Sequence, residues 1–203
     1  MAYLLQLDAS ANLASSASRR LTAEFAQHWV AAGPDREIRR RDLHTNPLPH
    51  LATNALHFTA PLRPQDAVAP TEEATRLQDE LIAELSGAAS VVIGAPMYNY
   101  SMPSTLKAWL DYVHVLGATS PADEGIAPLR GKPVTVVSAR ATPTGMDPRA
   151  DFVTGPFFAI LGEFMAMDVA AFVVHPDPPA TPDDFHRPYE VVRGELLEAI
   201  RGR

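Results

Sequence analysis

Ser90-Val91-Val92-Ile93-Gly94-Ala95 runs straight into Pro96-Met97-Tyr98-Asn99-Tyr100, and the reading of this stretch decides the fold. The first six residues are almost unbroken in their apolar, β-branched character, the pattern of a central parallel strand buried on both sides. A strand with one wet face would alternate apolar and polar residues instead. A parallel strand needs helical crossovers above and below it, so the flanking sequence should supply them.

It does. Four further β-rich segments, residues 3–7, 37–43, 133–138 and 169–174, alternate with stretches of helical spacing. Leu21, Phe25, Trp29 and Val30 predict one face of a first helix. Thr71 reads as the N-cap of a second, with Glu72 and Glu73 in its first turn and Leu77, Leu81 and Leu85 on its buried side. Pro103 suits the first turn of a third, over residues 103–116, with Leu106, Trp109, Leu110 and Val113 facing inward. Two more are expected over 152–165 and 183–201. The fold class is α/β, and the 203 residues, 46% of them hydrophobic, fit one domain spanning 1–203. Arg36, Arg39, Arg40 and Arg41 are read as charge on a solvated edge strand. Residues 44–70 are Pro-rich and without periodicity, and connections of that length usually serve a pocket or a subunit contact.

A net charge of -7 leaves no basic face for the phosphates of DNA or RNA, so nucleic acid is not expected as a partner. The absence of cysteine removes disulfides and thiolate chemistry and suits a reducing compartment. Residues 1–7 lack a basic segment ahead of an apolar stretch, and no apolar run reaches the roughly 18 residues of a membrane span. A cytoplasmic address and no membrane partner are therefore expected. The seven histidines are scattered without a metal-binding spacing, so no metal site is expected. The G-x-S-x-G string of a nucleophile elbow is also missing.

In an open parallel sheet a ligand sits beyond the carboxyl ends of the strands, which singles out three loops. Residues 8–18 are rich in serine and lead into a helix, so hydroxyls and first-turn amides there can hold a phosphate. An ordinary N-cap in a Ser-rich loop explains the same residues. Neither the dinucleotide glycine pattern nor a Walker pattern occurs, which favours a monophosphate over NAD or ATP. Helix-end and hydrogen-bond contributions of about 0.3–1 and 1.5–3 kcal/mol do not account for tight binding, so a flat apolar group should be buried as well. Met97 and Tyr98 can pack on such a ring while backbone amides of residues 97–100 meet its polar edge. In the third loop, 138–145, Arg140 either favours an anionic reduced ring or pairs with a carboxylate.

Taken together, Ser10 with Ser16-Ala17-Ser18, Arg41-Asp42-Leu43 before Asn46-Pro47, Ala95-Pro96-Met97-Tyr98-Asn99, Ser104-Thr105-Leu106-Lys107 and Asp111 resemble the FMN-dependent NADH azoreductases, a group of flavodoxin-like NAD(P)H quinone reductases. The resemblance runs nearly end to end. It implies a flavodoxin-like, five-stranded parallel sheet of order 2-1-3-4-5, and a homodimer with FMN at its interface. It also implies ping-pong transfer of two electrons from NADH or NADPH to a quinone or azo compound. By this resemblance Ser10, Ser16, Ala17 and Ser18 hold the phosphate, Met97, Tyr98, Asn99 and Tyr100 contact the ring, and Ala139, Arg140, Ala141 and Thr142 form the third loop. The redox work belongs to the flavin, so no catalytic side chain is implied. The chain departs from the family at Ala139-Arg140-Ala141-Thr142, where Ser-Arg-Gly-Gly is common, and at residues 119–125, where aromatic residues are common. A histidine common in the family is replaced by Thr144, which leaves water as the proton source. The reading from another class is a flavodoxin-like FMN-binding electron carrier with no turnover of its own. A third is a flavin-free fold used only for dimeric interaction.

Overall fold

The computed structural model describes residues 1–123, 125, 127–140, 151–175 and 186–201. Five parallel strands, β1 (Ala2–Asp8), β2 (Arg36–Asp42), β3 (Ser90–Pro96), β4 (Pro133–Ala139) and β5 (Asp168–Val174), form one sheet in the order β2-β1-β3-β4-β5. β3 is buried along its whole length, as its unbroken apolar run requires, and β2 is the exposed edge.

Helices cover both faces. Alternation along the strands sends Leu4, Val92 and Val137 to one side, where they pack with Leu21, Phe25 and Ala26 of α1 (Ala17–Ala31) and with Val192 and Leu196 of α5 (His186–Arg201). Leu5, Val91 and Ile93 face the other side, against α2 (Glu72–Gly87) and α3 (Ser104–Val113). Trp29 packs on the core, but Val30 is exposed, because one further residue carries the chain about 100° round the helix. Ala26 takes the place expected for it. Thr71 caps α2 through its hydroxyl, and Gln78, not foreseen as inward, is buried beside Leu81 and Leu85.

Three of the four arginines of β2 have partners of their own. Arg39 lies 3.9 Å over the Tyr3 ring and Arg36 4.3 Å over Trp29, while Arg41 pairs with Glu80 at 2.7 Å and Glu84 at 2.9 Å. Residues 44–70 carry two short 3-10 turns, Asn54–His57 and Ala60–Leu62. Leu56 is buried and its carbonyl accepts from Gln78 Nε2 at 2.7 Å, which fastens this segment to α2.

The helix expected over 152–165 is instead a short α4 (Thr154–Phe157) continued by a π-helical stretch, Phe158–Phe164. The wider turn, closed by Met165 N–H on the Ile160 carbonyl, buries Phe157, Leu161 and Met165 and leaves Phe158 and Phe164 outside. α3 stops at Val113, short of Leu116, because the Thr119 hydroxyl accepts from Val115 N–H and donates to Val113 O. Of the last predicted helix, residues 183–185 lie outside the described residues. No described helix is long and apolar enough to cross a membrane.

Candidate functional site

Register brings the three loops together. Asp8 pairs with Gly94 and Pro96 with Ala139, so β1, β3 and β4 release their chains side by side at one edge of the sheet. The order reverses direction between β1 and β3, the place where a parallel sheet of this order opens a crevice.

The first loop folds on itself before entering α1. Asn12 Oδ1 accepts from Ala14 and Ser15 N–H, and Asn12 N–H donates to Ser10 Oγ. Ser16 is the N-cap: its Oγ accepts from Arg19 N–H at 3.3 Å and lies 3.1 Å from Ser18 Oγ. Ser10, Ser16 and Ser18 are all buried. The amides of Ala17 and Ser18 have no hydrogen-bond partner among the described residues, and the first turn of α1 holds no acidic side chain. Two free amides at the positive end of a helix, bordered by hydroxyls and kept clear of carboxylates, fit a phosphate group.

The second loop is a tight turn. Tyr98 N–H donates to Ser101 O at 2.8 Å and Ser101 N–H to Tyr98 O at 3.0 Å, with Asn99 at φ 48° and Tyr100 at φ 69° between them. Positive φ at both central residues is the mark of a type I′ turn. Asparagine accepts that conformation readily, whereas tyrosine does so only under strain. Met97 N–H is committed to Ala139 O at 2.9 Å, and Met97 is half-buried against the core. Of the four amides expected to meet a ring edge, those of Met97 and Tyr98 are therefore spent, and those of Asn99 and Tyr100 have no partner among the described residues. Tyr98 ties the first two loops: its Oη accepts from Ala11 N–H at 2.8 Å and lies 3.3 Å from Ser10 Oγ.

The third loop is described through Arg140 only; Ala141 and Thr142 lie outside the described residues. Ala139 packs on the α1 side of the sheet, and Arg140 N–H continues the strand pairing by donating to Val174 O. The Arg140 side chain takes the carboxylate course: Nη2 donates to Asp151 Oδ2 at 2.9 Å, with both side chains mostly buried. Asp151 also accepts from Val153 and Thr154 N–H and from Thr154 Oγ1. Burial pushes its carboxyl up, but the bonds from Thr154, Arg140 and Val153 outweigh it and hold it below the usual value. Ser138 Oγ is buried beside this loop with no hydrogen-bond partner among the described residues.

Sequence reasoning does not single out the charged network behind the first loop. Arg19 forms a two-pronged pair with Asp42 at the end of β2, at 2.8 and 2.9 Å, and its hydrogen bonds hold the Asp42 carboxyl at about 2. Asp8 accepts from Thr22 Oγ1 at 2.7 Å and Gln6 Nε2 at 2.9 Å; burial pushes its carboxyl up despite both bonds. A cation in the first turn of a helix whose partner lies 23 residues away leaves no periodic signal.

A separate cavity of about 400 Å³ is lined by His57, Phe58, His114, Leu116, Glu163 and Phe164, among others. It lies at the far end of α3 from the 96–100 loop, about 15 Å along a ten-residue helix, so it is not part of the crevice of the same chain. Burial and the neighbouring His57 push the His114 imidazole down. No group of three or more His, Asp or Glu side chains placed to hold a metal occurs among the described residues.

A family model described as a flavodoxin-like fold matches residues 2–192 of the chain. An FMN-dependent NADH:quinone oxidoreductase of Kineococcus radiotolerans is 45% identical over 172 residues, covering 83% of this chain and 80% of that one. Another of that name, from Frankia alni, is 37% identical over 212 residues, covering 100% and 99%. Among solved structures, an azoreductase from Bacillus anthracis superposes at a TM-score of 0.82 with 19% identity over the whole of both chains. An FMN-dependent NADH-azoreductase from the same species, in complex with FMN, superposes at 0.76 with 17% identity over 98% of this chain and 99% of that one.

Proposed function

The chain belongs to the flavodoxin-like-fold family, with the FMN-dependent NADH:quinone oxidoreductases as its relatives, and on that premise we propose that its crevice binds FMN through the three sheet-end loops. The activity is that of an FMN-dependent NAD(P)H oxidoreductase acting on quinones, azo compounds or both. One domain, residues 1–203, carries it, and the chain works as a cytoplasmic homodimer with the flavin at the interface.

The observation that carries the reading is the set of unpaired amides around one crevice: Ala17 and Ser18 on the phosphate side, Asn99 and Tyr100 on the ring side. In this reading Ser10, Ser16, Ala17 and Ser18 surround the phosphate, Met97 to Tyr100 lie along the ring, and Ala139 and Arg140 begin the third side. Bound FMN supplies the redox chemistry, a hydride taken from the nicotinamide and two electrons passed to the acceptor in ping-pong order. The protein binds, orients and excludes water. Since Arg140 is neutralised by Asp151, the electronics of the ring fall to the backbone amides of Asn99 and Tyr100 rather than to that guanidinium.

The dimer is supported by apolar side chains left in solvent. Leu116 and Phe164 border one cavity, Phe158 lies on the same helical stretch as Phe164, and Phe152 sits beside the second loop through its pairing with Ser101. Anaerobic stopped-flow mixing of the flavin-loaded protein with NADH or NADPH, then with quinones and azo dyes, tests the function. Flavin bleaching followed by recovery in each half-reaction is expected. A flavin that neither nicotinamide reduces would contradict the reductase reading and leave the carrier reading standing.

A further inference from the structure

One guanidinium holds the first loop to the end of β2. Arg19 Nη2 and Nε donate to the Ser10 carbonyl at 2.7 and 3.0 Å, while Nη1 and Nη2 donate to the two oxygens of Asp42. Arg19 is the third residue of α1, in the first turn, where the helix dipole disfavours a cation. Helix stability gives no reason for an arginine there, so its contacts must supply one.

The carbonyl it holds is informative because a trans peptide is planar, with its C=O and N–H on opposite sides. Drawing the Ser10 carbonyl toward α1 turns the N–H of the same peptide unit, that of Ala11, the other way, where it meets Tyr98 Oη at 2.8 Å. With this peptide turned over, a carbonyl oxygen would stand at the first loop's contact with the second, and the Tyr98 bridge would be lost. The Arg19 side chain is only 17% exposed, so its bonds to an ionised and a neutral oxygen are little diluted by water.

We propose that Arg19 is a positioning residue of the phosphate site, anchored by Asp42, which holds the Ser10 carbonyl toward itself and so keeps that oxygen away from the phosphate, with the Ala11 N–H left on Tyr98 Oη. This rests on the reading that the first loop holds the FMN phosphate. Lysine would reach one of these oxygens as a point charge but lacks the planar fork that spans both.

The test is the affinity of the full chain, freed of flavin, for FMN and for riboflavin, measured by flavin fluorescence in the parent, Arg19→Met and Arg19→Lys. The methionine variant should bind FMN about tenfold or more weakly and lose clearly less affinity for riboflavin, which meets only the loosened Tyr98 contact, with lysine between. Equal weakening of both flavins would make Arg19 merely structural and overturn the proposal, as would unchanged FMN affinity. If Arg19→Met does not fold, Arg19→Lys decides by the same criterion. A parent that holds FMN no more tightly than riboflavin would instead overturn the phosphate reading, and the proposal with it.

Discussion

Replacing Tyr100 by glycine should stabilise the protein, although it deletes an aromatic side chain. Tyr100 sits at φ 69° with 59% of its surface exposed, so it is strained in its backbone and gains little from packing. The left-handed conformation costs an L-residue about 1–2 kcal/mol, whereas glycine adopts it freely. Glycine loses about 0.5–1 kcal/mol more than other residues through the entropy of the unfolded chain. The balance is a gain of about 0.5–1 kcal/mol for Tyr100→Gly. Valine, branched at Cβ, fits positive φ worst of all, and Tyr100→Val should cost about 1 kcal/mol. The two variants should therefore differ by about 2 kcal/mol, or about 4–8 °C in Tm for a chain of this size. Urea unfolding of the flavin-free chain, followed by far-UV circular dichroism, measures the difference. A glycine variant less stable than the valine variant would refute the turn geometry on which the second loop is built.

Three further outcomes are expected. A Cβ added at Gly94 would fall 2.8 Å from Asp8 Oδ1 and 3.3 Å from Thr22 Cγ2, and Asp8 is pinned by its bonds to Thr22 and Gln6. Gly94→Ala should therefore lower the unfolding free energy by about 1–3 kcal/mol in the same assay, and a change under about 0.5 would speak against the buried network. Asp42 is held at about 2, below its ordinary 3.8, so its pair with Arg19 contributes fully above pH 4 and is lost as pH falls through 2. The shift corresponds to about 2.4 kcal/mol, reduced to about 1 by solvent at a side chain 29% exposed; Asp42→Asn should flatten that part of the acid-unfolding profile, and an unchanged profile would contradict the pairing. Ser16→Asp places a carboxylate beside the phosphate and should weaken FMN by about 1–4 kcal/mol while sparing riboflavin; unchanged FMN affinity would move the phosphate elsewhere.

Fold and site were legible to different depths, for physical reasons. Burial on both faces left its mark directly on Ser90 to Ala95, and alternation with helical stretches then required a parallel sheet. Val30 escaped because it stands one residue, about 100°, past Trp29, which packs on the core, and the 158–164 turn escaped because a π turn changes the helical period. Within the site, the N-cap in the Ser-rich first loop shows through residue type, whereas the left-handed turn at Asn99 and Tyr100 emerges only in the structure. The hydrogen bond from Ala11 N–H to Tyr98 and the grip of Arg19 on Ser10 and Asp42 join residues distant in sequence, and no local pattern encodes such pairings. Arg140 offered two partners on paper, and the turn that opens α4 decided between them by bringing up Asp151.

A crystal structure of the protein grown with excess FMN addresses the central claim most directly. The phosphate should lie against Ser16, Ser18 and the free amides of Ala17 and Ser18, with the ring along Met97 to Tyr100. A flavin bound elsewhere, with this crevice filled by the protein's own side chains, would contradict the account.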